Sequence, residues 1–306
     1  MVRLIDPKSQ QLLKDEIRNR LSEDQSLLNQ VRAEILTIKN SVKRIHPRST
    51  TSIALVATDG GNNKLKFDPF LIQLVRVVDS SNNEYCLEAI TPSTDIKKLS
   101  RNQFNEKGEP RTALGTMMHY LGVKELPQLT PMIKNYKTDE PRSPSWIQVY
   151  RELVEWAILF SIVVNKDFAT DTLVIFDGLL RSKVFSGDLF NKLKKGFQEG
   201  IEKHKKENNR NIYLAGVAKH SKVLERYRLA MAIEGIMRVD YPCSAEIPSE
   251  LEAKAYVWSE YARGDDQAVE GGEINKYVAG KMFFVKFGAG KHDPIWPIDI
   301  FLPQAN

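Results

Sequence analysis

The chain has 306 residues, 42% of them hydrophobic and 27% charged, with a net charge of +5. That is enough apolar material for a large core in one elaborated domain or two, and it excludes a disordered chain. The basic excess is mild, so it suits a polyanionic partner without requiring one.

Residues 8 to 44 read as helix. Leu28, Val31, Ile35, Ile38 and Val42 fall at alternating steps of three and four, and Leu13, Ile17 and Leu21 extend the stripe upstream. Ser22 with Gln25 has the form of a capping box that would break this segment into two helices. The segment therefore reads as an N-terminal helical arm over residues 1–46, used for dimerisation or packed on its own domain. His46 to Thr50 is a linker, and a second region runs over residues 50–306.

That region opens on β-like runs: Ser52 to Thr58, Phe70 to Val78 and Tyr85 to Ile90. Asp59-Gly60-Gly61-Asn62-Asn63 and Asp79-Ser80-Ser81-Asn82-Asn83 have turn chemistry, so the opening reads as an antiparallel meander. Thr112 to Leu121 reads as a helix, and Asp139 to Pro144 as a break. Helices over Ser145 to Asn165, Gly187 to Asn208 and Ser221 to Ile236 then alternate with strands over Asp171 to Phe176 and Asn211 to Val217. Met282 to Phe287 and Ile298 to Leu302 read as late strands. Helix–strand alternation marks an α/β sheet. A meander, a helix and then parallel β-α-β units together have the plan of an RNase H-like mixed sheet flanked by helices.

Two cysteines, Cys86 and Cys243, give no disulfide framework and no CxxC spacing, which fits a reducing, cytoplasmic setting. Met1 to Asp6 lacks the apolar core of a secretory signal. The longest apolar run, Ala157 to Val164, is broken by Ser161 and falls far short of the roughly 20 residues that span a bilayer, so no membrane partner is expected.

The chemistry centres on two segments of one form. Ile53 to Thr58 and Thr172 to Phe176 are apolar runs, and each ends in Asp-Gly, at Asp59 and Asp177. Singly these are ordinary turn junctions. As a pair at a sheet edge they can converge on one divalent cation, the basis of metal-dependent phosphodiester cleavage. The plan then requires a carboxylate on the intervening helix, and Ser145 to Phe160 carries two, Glu152 and Glu155, inside an apolar segment. Such a glutamate needs a partner, either a cation or a side chain such as Arg151.

Lys219 follows a strand and opens a helix, where it can meet a phosphate, and His220 is the alternative there. Gly288-Ala289-Gly290-Lys291-His292 resembles a phosphate loop only superficially. Val285 stands where the first glycine belongs, and His292 stands where Ser or Thr belongs. His292 can instead serve as a metal ligand or proton donor. No GxGxxG occurs, which argues against a dinucleotide enzyme.

Five segments together resemble the NurA nucleases, which work beside the HerA DNA translocase. They are Val56 to Gly61, Arg151 to Trp156, Val174 to Leu180, Gly216 to Ser221 and His292 to Pro297, spread over residues 50 to 300. The resemblance implies an RNase H-like nuclease domain and Mn²⁺- or Mg²⁺-dependent cleavage of DNA in end resection, repair or phage defence. It also implies a homodimer docked on a hexameric HerA-like ATPase. Asp59, Asp177 and Glu155 would be the metal ligands, with Glu152 in reserve, and Lys219 and His292 accessory catalytic groups. The alternative is a catalytically silent DNA-binding adaptor on the same ATPase. The lysines of Lys192 to Lys195 and Lys203 to Lys206 are either a DNA contact or a solvated helix face.

Overall fold

The computed structural model describes residues 7–46, 53–67, 70–79, 84–135, 144–255 and 277–305. In chain order the elements are α1 (Pro7–Leu36), β1 (Lys43–Arg44), β2 (Ala54–Phe67), β3 (Phe70–Asp79), β4 (Glu84–Ile90), α2 (Ile96–Arg101), α3 (Ala113–Leu121) and α4 (Leu126–Leu129). They continue with α5 (Trp146–Asn165), β5 (Thr172–Asp177), α6 (Leu189–Asn208), β6 (Ile212–Val217), α7 (Lys222–Glu234), β7 (Cys243–Glu246), α8 (Ser249–Ala255), β8 (Gly280–Lys286) and β9 (Ile295–Phe301). The chain divides into two compact units. The expected linker at 47–50, the turn at 80–83 and the break at 139–143 lie outside the described residues.

The larger unit comprises residues 48–219, 258–281 and 298–306. Its sheet runs β4-β3-β2-β5-β6-β9. β2, β3 and β4 form the antiparallel meander, β2, β5 and β6 are parallel neighbours, and β9 closes antiparallel to β6. The α/β class with a mixed sheet flanked by helices is therefore observed.

α5 is the central helix. It is apolar nearly all round, and Leu153, Trp156, Ala157 and Phe160 are buried. Trp156 packs on Phe176 of β5 at 4.8 Å and on Phe190 of α6 at 5.2 Å between ring centroids, so helix and strand share one aromatic core. Burying each such side chain contributes about 1.5–3 kcal/mol.

The first hairpin departs from the expected one. Asp59 to Asn63 is not a turn. β2 runs through it as a single strand of 14 residues, with ten consecutive pairs to β3 from Thr58↔Asp79 to Phe67↔Phe70. Those glycines and asparagines favour turns locally, but the β3 ladder holds them extended.

The smaller unit comprises residues 1–47, 220–257 and 282–297. Here α1 is one unbroken helix across Ser22, ending at Leu36 with a short 3-10 turn at Lys39–Ser41, so the expected break is absent. Ser22 and Gln25 are exposed, and side-chain pairs such as Arg20–Glu16 at 3.0 Å and Gln25–Asn29 at 3.2 Å run along the helix through that point.

The second half of α1 packs on α7, with Val31, Ile35 and Ile38 buried. Glu34 anchors the contact. It accepts hydrogen bonds from Tyr227 Oη at 3.0 Å and Gln30 Nε2 at 3.1 Å, and pairs with Arg226 at 3.2 Å and Lys254 at 3.3 Å. Farther toward the N-terminus the same stripe is bare, with Leu13 51% and Ile17 48% exposed. β1, β7 and β8 form a short antiparallel sheet in this unit.

Candidate active site

The parallel register aligns the two Asp-Gly segments. Ala54↔Thr172 through Thr58↔Phe176 are paired, and the next residues along β2 and β5 are Asp59 and Asp177. Adjacent strands lie about 4.8 Å apart, so the backbone positions of these two aspartates are neighbours. They stand at the carboxyl end of β5 and at the point where β2 leaves it, the edge where open α/β sheets place their ligands. Asp177 is exposed, while Phe176 before it is buried. β6 continues the row, with Asp177↔Val217, and Lys219 follows two residues later as an exposed cation. Ser221 then caps α7, its Oγ accepting from Leu224 N at 3.0 Å.

The two helix glutamates are differently placed. Glu155, whose side chain is 13% exposed, pairs with Arg151 at 3.1 Å. Glu152 accepts a hydrogen bond from Ser182 Oγ at 2.7 Å. Burial pushes the Glu152 carboxyl above the usual glutamate range, against the opposing pull of Ser182, Lys183, Arg151 and Trp156. Among the described residues no three His, Cys, Asp or Glu side chains form a group that could hold a metal ion. By donor type the aspartates suit Mn²⁺ or Mg²⁺, which take hard carboxylate oxygens and keep positions for water and phosphate.

His220 is exposed and belongs to the smaller unit, as does His292. His292 lies on the exposed Gly288–Pro294 loop. Asp293 Oδ2 accepts from Gly290 N at 2.7 Å there, and the buried Lys286 ammonium donates to Gly290 O at 2.8 Å.

Sequence reasoning missed the groups that shape the turn after Asp177. Gly178 N donates to Val217 O at 2.9 Å, and a Cβ on Gly216 would lie 2.4 Å from Gly178 O and 2.8 Å from Leu180 N. The chain thus crosses directly over β6 at the one place without a side chain. Arg181 then forks onto Asp299 of β9, Nε to Oδ2 at 2.9 Å and Nη2 to Oδ1 at 2.6 Å. Asp299 was detectable as an acid between two isoleucines in an apolar strand. Arg181 carried no comparable signal.

These features define an α/β chain with two aspartates at adjacent positions on the carboxyl edge of a mixed sheet. It is similar to solved structures of NurA. A crystal structure of NurA with manganese is 12% identical over 94% of this chain and 87% of that one, with a TM-score of 0.37. NurA bound to dAMP and manganese is 11% identical over 97% and 87%, at 0.38. The NurA nuclease from Sulfolobus solfataricus is 12% identical over 98% and 81%, at 0.31. No protein-family model matches the chain, and no curated protein matches it. Among the described residues no helix is long and apolar enough to cross a membrane.

Proposed function

We propose that this chain is a metal-dependent DNA nuclease on an RNase H-like plan, the cleaving subunit beside a hexameric HerA-like ATPase in end resection or phage defence. The observation that carries the reading is the register that brings Asp59 and Asp177 to neighbouring positions just beyond the last pair of the parallel β2–β5 ladder. Asp59 and Asp177 hold the cation, Mn²⁺ or Mg²⁺, and Glu155 of α5 completes the set, with Glu152 as its alternative.

When bound, the cation supplies an activated water and charge neutralisation at the scissile phosphate. Lys219 steadies a phosphate oxygen by charge-assisted hydrogen bonding. Without a cation the aspartates repel the DNA backbone, so the metal requirement follows from charge alone. The bare apolar stripe of α1 serves a homodimer, and the setting is the reducing cytoplasm.

The test is cleavage of linear DNA by the purified protein, with and without Mn²⁺, for wild type, Asp59→Ala and Asp177→Ala. We expect each folded variant to lose at least about 100-fold in rate, the scale on which removing a charge-stabilising group slows an enzyme. Wild-type cutting by both variants would overturn the reading.

A second reading is the non-cutting DNA-binding adaptor. Calorimetric titration with Mn²⁺ separates the two, because the adaptor has no site that depends on Asp59.

A further inference from the structure

We propose that Arg181 and Asp299 are positioning residues that fix Asp177 for cation binding. This rests on the reading of Asp59 and Asp177 as cation ligands.

Asp177 ends β5, and Gly178 N beyond it still reaches back to Phe176 O of that strand at 3.0 Å. Four of the next five residues are fastened at successive points. Gly178 N is held by Val217 O at 2.9 Å, and Leu180 O accepts from Ala279 N at 2.7 Å. Ser182 N donates to Tyr277 O at 2.9 Å, while Ser182 Oγ donates to Glu152 at 2.7 Å. Between these, Arg181 forms the bidentate pair with Asp299, whose side chain is 0% exposed against 10% for Arg181.

Asp299 is registered opposite Gly216, which is itself opposite Phe176, the residue before Asp177. The pair therefore ties the turn after Asp177 to the strand beyond β6, across the gap that Gly216 leaves. Gly280 makes room on the other side, since a Cβ there would lie 2.4 Å from Asp299 Cβ. A buried ion pair is a poor device for stability alone, because well-packed apolar residues serve at least as well. Its fork geometry does fix orientation, which apolar packing does not. Groups that orient metal ligands typically change metal affinity by about 10–100-fold when removed.

The experiment compares wild type, Asp299→Asn, Arg181→Lys and the apolar double variant Arg181→Met/Asp299→Leu. Calorimetric Mn²⁺ titration, hydrogen exchange of residues 177–182 without metal, and cleavage as a function of Mn²⁺ concentration are read alongside melting temperature. We expect the Mn²⁺ dissociation constant to rise about 10–100-fold in Asp299→Asn and the double variant, and by less in Arg181→Lys. Exchange of residues 177–182 should quicken, and saturating Mn²⁺ should restore the maximal rate.

Wild-type Mn²⁺ affinity in the folded double variant would overturn the proposal. So would a lowered melting temperature with no change in Mn²⁺ affinity, or failure of all three variants to fold, since either assigns the pair to the core. Asp177→Asn run in parallel separates the two levels. If it binds Mn²⁺ like wild type, the cation-ligand reading itself fails. If it loses binding while Asp299→Asn does not, only the positioning role fails.

Discussion

Gly216→Ala tests whether the turn after Asp177 is set by its close passage over β6. The added methyl would lie 2.4 Å from Gly178 O and 2.8 Å from Leu180 N, both backbone atoms that cannot rotate away. Restoring ordinary contact needs a displacement of about 1 Å. Gly216 sits in a regular strand, so alanine brings no dihedral penalty there and gains about 0.4–1 kcal/mol from the unfolded state. Overpacking of this kind costs about 1–3 kcal/mol, so the net loss is small. It should appear as a fall of no more than about 4 °C in melting temperature for a chain of this size.

The effect on chemistry should be disproportionate. A shift of about 1 Å in a reacting group can cost about 100-fold in rate. Thermal melting by circular dichroism and DNA cleavage in Mn²⁺ read the two effects separately. Wild-type values in both would refute the close-passage argument. A large loss of stability with cleavage unchanged would show that the turn does not position Asp177.

Two further outcomes concern titration. Burial alone would raise the Glu34 carboxyl, but hydrogen bonds from Gln30, Tyr227, Arg226 and Lys254 outweigh it and hold its pKa below the usual 4.5. That stability is present above about pH 4.5 and lost as pH falls through the lower folded pKa, so wild type should lose melting temperature below about pH 4.5 more steeply than Glu34→Gln. Parallel pH profiles for the two would refute it. For Glu152 the sign is reversed. Its raised pKa means that stability declines as pH rises from about 4.5 through the folded value, because the ionised form is the one penalised by burial. Glu152→Gln keeps an acceptor for Ser182 without that penalty, so at pH 7 its melting temperature should equal or exceed wild type, and a marked drop would contradict the assignment.

Much of the fold was legible because it rests on local pattern. The apolar length of α5, the alternation of helices and strands after it, and the Ser221 cap of α7 each follow from residues within one element. The short elements were missed. α2, α4 and β7 have 6, 4 and 4 residues, too few for a period to register. The Asp59–Asn63 turn was misread for a different reason, since the deciding interactions come from β3 and not from the segment itself.

The two aspartates were visible as residues, but their adjacency is a matter of register, which sequence spacing does not encode. Arg181 and Asp299 stand 118 residues apart and meet only because β9 returns beside β6.

β2 changes partner along its length. Ala54 to Thr58 lies against β5, and Thr58 to Phe67 is laddered to β3. Asp59 stands at that changeover, so the strand has two zones of very different tolerance to changes of length. One residue inserted between Ala54 and Thr58 would slide Asp59 out of step with Asp177 and turn every later side chain of the strand to the opposite face. Residues added beyond Lys66, at the far end of the hairpin, would leave the Asp59–Asp177 alignment untouched. Related chains should therefore vary in hairpin length while holding fixed the five-residue run that precedes Asp59.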